Sequence, residues 1–117
     1  MSIYKDLSVW QKSMALVQRI YEITISFPVE ERFGLTSQMR RCAISIPSNI
    51  AEGYGRESAR EHIHFLYISL GSSNELDTQL ILAQQLRLID NEVGNQLIHQ
   101  NEEVNKMLSS LIYTLKH

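Results

Sequence analysis

Apolar residues recur at intervals of three and four positions along four long segments of this 117-residue chain. A period near 3.6 residues is that of an α-helix with one buried face, whereas a half-buried strand would alternate with a period of two. No segment alternates in this way, and only five glycines and two prolines interrupt the sequence. The spacing therefore predicts an all-α protein.

Capping and helix-breaking residues divide the sequence into four predicted helices. The first runs from about residue 5 to 26 and ends before Pro28, because proline cannot continue a helix. Ser58 and Glu61 form a capping box at the start of the third helix, which extends to about residue 87. Asp90 caps the fourth helix. Short connections favour antiparallel neighbours, so we predict an up-down-up-down antiparallel four-helix bundle forming one domain, residues 1–117.

The second helix contains a proline but is predicted to be continuous. It begins near Gly34, and Ile50 stays in phase with Ile46 beyond Pro47, which indicates a kinked helix rather than two helices. The helix ends at Gly53-Tyr54-Gly55, where glycine would supply a left-handed cap.

The first helix carries two adjacent apolar stripes, more than a single bundle seam requires. We predict that the first stripe packs inside the bundle: Leu7, Trp10, Met14, Val17 and Tyr21. The second stripe is then left for contacts between copies of the chain, so we predict an oligomer interface at Val9, Leu16, Ile20, Ile23 and Phe27.

Charged and small residues predict how the second and third helices meet. A hairpin centred on Gly55-Arg56 places residues whose numbers sum to about 111 opposite each other. This register predicts polar pairs of Arg40 or Arg41 with Glu75 or Asp77, and of Glu52 with Arg60. Gly71-Ser72-Ser73, in the middle of the third helix, predicts a close approach of two backbones.

The residue types of common catalytic and metal sites do not combine in this sequence. Cys42 falls on an apolar stripe, where a thiol is a small hydrophobe. Glu61-x-x-His64 provides one Glu-x-x-His pair, but a carboxylate-bridged metal site in a bundle needs two, with further inward glutamates. We therefore expect a protein without catalytic residues, metal or cofactor, and not an enzyme.

Cysteine content and hydropathy indicate the compartment. One cysteine cannot form an internal disulfide, the first residues lack the apolar region of a signal peptide, and no apolar run approaches the roughly 18 residues of a membrane span. We expect a cytoplasmic protein without membrane contact.

Charge is small in total but uneven along the chain. The formal net charge of −2 excludes a bulk polycation. Residues 32–64 nevertheless hold five arginines against three glutamates, and residues 71–105 hold one arginine against six acids. The candidates for binding nucleic acid are Arg40, Arg41, Arg56 and Arg60. The asymmetry would also let the basic region of one subunit contact the acidic region of the next. Such head-to-tail contacts form a ring when the rotation from each subunit to the next brings the last subunit back to the first.

Several motifs together resemble the four-helix-bundle family encoded by intervening sequences in bacterial 23S ribosomal RNA genes. The resemblance spans nearly the whole chain. It rests on Leu7-x-x-Trp10, on Phe27-Pro28-x-Glu30, on Phe33-Gly34-Leu35-Thr36-Ser37-Gln38-Met39-Arg40-Arg41 and on Ser45-Ile46-Pro47-Ser48-Asn49-Ile50-Ala51-Glu52-Gly53. It continues with Phe65-Leu66, Gly71-Ser72, Glu75-Leu76 and Gln79-Leu80-x-Leu82-Ala83. Cys42 stands where alanine is usual in the family, and Arg87 where glycine is frequent.

The resemblance implies a homopentamer of four-helix protomers with no known enzymatic activity and a link to RNA or other nucleic acid. The family is similar to the accessory protein of diversity-generating retroelements, which shares the small bundle and its ring-like assembly. We therefore expect a non-enzymatic, symmetric interaction scaffold that engages nucleic acid. The alternative is a protein–protein adaptor that recruits a helical or basic partner and has no nucleic-acid role.

Overall fold

A computed structural model describes residues 3–117 and contains four helices: α1 (Ser8–Thr24), α2 (Leu35–Tyr54), α3 (Ala59–Gln85) and α4 (Asn91–Lys116). Two short 3-10 turns, Tyr4–Asp6 and Val29–Glu31, precede α1 and α2. Each helix packs against two neighbours, with α4 closing the bundle on α1. The described chain contains no strand. The predicted all-α four-helix bundle is confirmed.

Side chains cap the starts of α2, α3 and α4, and the caps of α3 and α4 are the predicted ones. The Ser58 hydroxyl accepts a hydrogen bond from the Glu61 amide at 3.1 Å, and the Asp90 carboxylate accepts one from the Val93 amide at 2.8 Å. The sequence did not indicate the cap of α2, where the Glu31 carboxylate accepts from the Leu35 amide at 3.1 Å. These bonds satisfy amides that have no partner within their own helix.

Helix α2 continues through Pro47 to Tyr54, as the in-phase apolar residues predicted. The predicted left-handed glycine cap is wrong. Gly55 has φ −84°, and its amide donates to the Glu52 carbonyl at 3.1 Å, so the last turn of α2 closes with right-handed geometry. The chain thereby enters α3 without a backbone conformation that requires glycine.

The two stripes of α1 have exchanged roles relative to the prediction. The stripe assigned to the oligomer interface lies inside the protomer: Val9, Leu16, Ile20 and Phe27 are buried, and Ile23 packs against the same core. These side chains therefore cannot form the predicted contact between subunits. The stripe assigned to the core is half-buried or exposed at the outer surface. Two adjacent stripes with one period look alike in a sequence, and rotation of α1 about its axis decides which one points inward.

The bundle interior contains a polar layer made mainly by serines of α3. The Ser69 hydroxyl donates to the Ile46 carbonyl of α2 at 2.8 Å. On the opposite side, Ser73 donates to the Asn101 side-chain oxygen of α4 at 2.9 Å, and the Asn101 amide donates back to the Ser73 carbonyl at 2.9 Å. These hydroxyls therefore join α3 to both neighbouring helices by hydrogen bonds, whereas the predicted close approach at Gly71 is wrong. Gly71 lies at the surface, with open space around it.

The register between α2 and α3 differs by about one helical turn from the prediction. The hydroxyls of Ser45 and Ser72 lie 2.8 Å apart, and the Cys42 thiol donates to the Ser72 carbonyl at 3.0 Å. The connection between these helices is therefore not a symmetric hairpin about Gly55-Arg56.

Within residues 3–117, no helix is both long enough and apolar enough to cross a lipid bilayer.

Arg87 occupies a left-handed position after α3, with φ 60°. The Leu88 amide closes the helix end on the Ala83 carbonyl at 2.9 Å, an arrangement that glycine usually supports. A side chain in this conformation costs about 1–2 kcal/mol per residue, partly offset by glycine's greater freedom in the unfolded chain.

We expect Arg87→Gly to raise the free energy of unfolding by about 0.5–1 kcal/mol, measured by urea denaturation. Arg87→Ala is the control, because it removes the same charge and keeps a Cβ atom in the left-handed conformation. Equal stabilisation by both variants would show that the charge, and not the backbone conformation, limits stability here.

Candidate nucleic-acid interface

The four arginines predicted to bind nucleic acid lie in two pairs near opposite ends of α2. Arg40 and Arg56 are 16 residues apart, which corresponds to about 24 Å along a helix axis. Arg40 and Arg41 lie near the start of α2, whereas Arg56 and Arg60 lie at the turn into α3. The arginines therefore do not form one continuous patch on the protomer.

The pair at the turn into α3 is the weaker candidate. The Arg56 guanidinium lies 4.7 Å from the centre of the Phe65 ring and forms an ion pair with Glu52 at 3.1 Å. The ion pair takes up part of its charge, and it replaces the predicted pair of Glu52 with Arg60. Arg56 follows Glu52 by four residues, so this contact is local to the end of α2 and does not depend on the register between α2 and α3.

The predicted pairs of Arg40 or Arg41 with Glu75 or Asp77 are absent from residues 3–117. Arg40 turns to α1 instead, and Asp77 lines a hollow on the other side of α3, facing α4. Arg41 and Glu75 border a shared hollow between α2 and α3 without forming an ion pair. The pairing failed because the prediction used a register displaced by about one turn.

Arg40 is held in place by the end of α1. Its Nε donates to the Thr24 hydroxyl at 2.8 Å, its Nη2 donates to the Tyr21 carbonyl at 3.5 Å, and its guanidinium carbon lies 4.5 Å from the centre of the Tyr21 ring. The last carbonyls of a helix have no partner in the helix and carry partial negative charge, so a cation is stabilised there. These contacts fix the orientation of the guanidinium and leave it further N–H donors.

A surface hollow with a volume of about 480 Å³ opens beside Arg40, between the end of α1 and the start of α2. We call it the arginine hollow. It is lined by Tyr21, Arg32, Phe33, Thr36, Ser37, Arg40, Arg41 and Ile44. Three of these residues are arginines, and no acidic side chain lies among them in the described part of the chain. The hollow therefore combines positive charge, hydroxyl groups and two aromatic rings.

Phe33 was not among the predicted site residues, although it is the most exposed large apolar residue in the described part of the chain. It is 87% exposed and precedes α2, and the guanidinium carbon of Arg32 lies 5.3 Å from its ring centre. The sequence does contain a signal for a binding residue. Phe33 follows an arginine in the connection between α1 and α2, outside the apolar stripes of the helices. That signal cannot be distinguished from a core anchor without the tertiary structure.

A second depression continues from the arginine hollow along the same two helices, and Ile44 lines both. We call it the apolar groove. It has a volume of about 350 Å³ and is lined by Tyr4, Trp10, Met14, Val17, Ile44, Pro47, Ser48 and Ala51. Most of these side chains are apolar. The α1 residues among them belong to the stripe that was predicted to lie in the core.

The arrangement of other reactive groups offers little chemistry. Burial, and secondarily the negative charge of Glu75, raises the pKa of the Cys42 thiol to about 12. A thiol with such a pKa is a poor nucleophile at neutral pH, because the thiolate is the reactive form. Across residues 3–117, no three histidine, cysteine, aspartate or glutamate side chains come together as a potential metal site.

Comparisons with known proteins agree with this architecture. A crystal structure of a protein of unknown function from the S23 ribosomal protein family of Bacteroides thetaiotaomicron is 29% identical to the chain and superposes with a TM-score of 0.81. The match covers 89% of this chain and 97% of that one. No functionally curated protein matches the chain. The family model described as 23S rRNA-intervening sequence protein matches residues 5–110. The chain therefore belongs to the 23S rRNA-intervening sequence protein family, as its motifs indicated.

Proposed function

We propose that this protein is a non-enzymatic scaffold that assembles into a homo-oligomeric ring, a pentamer as the family resemblance implies, and binds nucleic acid through basic residues near the start of α2. The observation that carries the proposal is the outer face of α1 and α2. On this one face, the apolar groove runs directly into the arginine hollow.

The apolar groove supports self-association, and its occupant in our proposal is a second copy of the chain. Its α1 side chains are the surplus apolar stripe, which the protomer leaves half-buried at its surface. Covering large apolar side chains contributes about 1.5–3 kcal/mol each, part of which is offset by the entropy cost of association.

The arginine hollow supports nucleic-acid binding despite the net charge of −2. Electrostatic recognition depends on the local density of positive charge, which this hollow concentrates in three arginines. In a ring, one hollow per subunit would be repeated around the symmetry axis. Repetition would raise the overall affinity for a long nucleic acid without new contacts.

The test of self-association is the molar mass of the purified protein by size-exclusion chromatography with light scattering. We expect the wild type to elute with the mass of five protomers and Ile44→Glu to dissociate toward the 13.5 kDa protomer. Leu82→Glu is a matched control, because Leu82 on α3 is 42% exposed, Ile44 is 40% exposed, and only Ile44 lines the groove. A monomeric wild type, or dissociation by Leu82→Glu alone, would contradict the proposed contact.

The test of nucleic-acid binding is the affinity of the wild type for RNA at increasing salt. Binding through phosphates should fall steeply, because each neutralised phosphate releases counterions. A flat salt response or no binding would contradict the nucleic-acid role. Recovery of a single protein in fixed ratio, with no RNA bound, would favour the adaptor function instead.

A further inference from the structure

We propose that the arginine hollow is a site for single-stranded nucleic acid, in which an unpaired base stacks on Phe33 while Arg32, Arg40 and Arg41 contact the phosphates. This inference deepens the proposed function and rests on its nucleic-acid component. It identifies which of the separated arginines act together and which kind of nucleic acid they accept.

The exposure of Phe33 is the first argument. With 87% of its surface in solvent, the ring contributes little to the core. Arg32 lies over the ring at 5.3 Å and limits where the exposed ring can point. Stacking of a base on an aromatic side chain is worth about 1–3 kcal/mol in single-strand binding proteins, and it is available to every base.

The placement of the arginines is the second argument. Arg40 is oriented before any ligand arrives, because Thr24 and Tyr21 hold its guanidinium at the end of α1. Arg41 is exposed and makes no ion pair within the described chain. The guanidinium is suited to phosphate because its donors form a planar fork. The Thr36 and Ser37 hydroxyls at the edge of the hollow add further donors.

The combination of a stacking ring with these donors favours a single strand over a duplex. In a duplex both faces of each base are covered by its neighbours, so Phe33 would have no partner. A phosphopeptide would use the arginines but would not require an aromatic face. The volume of about 480 Å³ falls within the range of about 300–1,000 Å³ typical of small-ligand sites, so the hollow has room for a nucleotide.

The experiment measures the affinity of a short fluorescein-labelled oligouridine, and of a blunt-ended RNA duplex of the same length, by fluorescence anisotropy. We expect the wild type to prefer oligouridine and Phe33→Ala to weaken oligouridine binding about 5- to 150-fold, the equivalent of the stacking energy. Phe33→Trp should retain binding, whereas Phe33→Leu should lose it, because only the former keeps an aromatic face. Tyr113→Ala is the matched control, since Tyr113 is 65% exposed but lies on α4 near the other end of the bundle.

Salt dependence separates stacking from charge. Phe33→Ala should leave the slope of log affinity against log salt unchanged, and Arg41→Gln should reduce it by about 0.7, the value for one phosphate contact on a single strand. Light scattering of each variant confirms that assembly is intact.

Several outcomes would overturn the inference. It fails when the wild type binds RNA with a steep salt dependence but Phe33→Ala binds oligouridine equally well, which leaves the proposed function standing. It also fails when Phe33→Ala weakens binding of the duplex as much as that of oligouridine, or when it changes the oligomeric mass. A phosphoserine peptide that displaces oligouridine equally from the wild type and Phe33→Ala would identify a phosphopeptide site instead. Absence of any RNA binding would refute the proposed function itself.

Discussion

Replacing Asn101 with alanine should lower the free energy of unfolding by about 2–4 kcal/mol, measured by urea denaturation at constant protomer concentration. Asn101 is 1% exposed and exchanges two hydrogen bonds with Ser73, each at 2.9 Å. Its loss leaves the buried Ser73 hydroxyl without its acceptor and opens a cavity between α3 and α4. Both effects act in a water-excluded interior, where an unsatisfied polar group is costly.

A double replacement distinguishes hydrogen bonding from packing. Asn101→Leu fills the space but still leaves Ser73 without its partner, so it should also destabilise. Ser73→Ala combined with Asn101→Leu should recover most of the lost stability, because removing both partners of a buried hydrogen bond is nearly neutral. Asn105→Ala is a control on the same face, since Asn105 is only half-buried and donates to Ser73 at 3.1 Å. Additive effects in the double variant would show that the pair is not coupled.

Gly53→Ala should lower the free energy of unfolding by about 1–3 kcal/mol, even though alanine favours helices over glycine by about 1 kcal/mol. A Cβ atom at Gly53 would lie 2.9 Å from the His62 ring, 3.1 Å from the His62 carbonyl oxygen and 3.2 Å from the Phe65 Cβ atom. Because a backbone atom is among these neighbours, rotation of a side chain cannot relieve the contact. Helices α2 and α3 would have to move apart at their turn.

Gly71→Ala provides the opposite expectation within the same protein. Gly71 also lies inside a helix, but no atom lies within 4 Å of the position of its Cβ. The substitution should therefore raise stability by about 0.5–1 kcal/mol through helix propensity alone. If Gly71→Ala lowered the free energy of unfolding and Gly53→Ala left it unchanged, our assignment of the close helix contact to Gly53 would be wrong.

The helix starts could be predicted from short segments of sequence. Ser58 and Asp90 cap α3 and α4 through amides three residues away, so the relevant partners are visible in the sequence itself. The cap of α2 was missed because the acceptor is a glutamate at the end of a 3-10 turn, whose conformation the sequence did not indicate. The left-handed cap was placed at Gly55, whereas the structure has this conformation at Arg87.

The candidate site could be predicted only in part. Arg40 and Arg41 were among the predicted residues, but Arg56 and Arg60 lie beyond the far end of α2, at the turn into α3. Phe33 was missed as a site residue, since its neighbours in the arginine hollow include Tyr21 and Ile44 from two different helices. The apolar surplus of α1 was recognised correctly, but it was assigned to the stripe that the structure buries.

Helix periodicity, caps and breaks involve residues within a few positions of one another, and so the order and extent of the four helices can be derived from the chain as written. Rotation of α1, the relative height of α2 and α3, and the union of Phe33 with three arginines arise from contacts between distant segments. Turning or sliding one helix against another leaves its internal hydrogen bonds intact. Only the packing of the assembled bundle distinguishes between those arrangements.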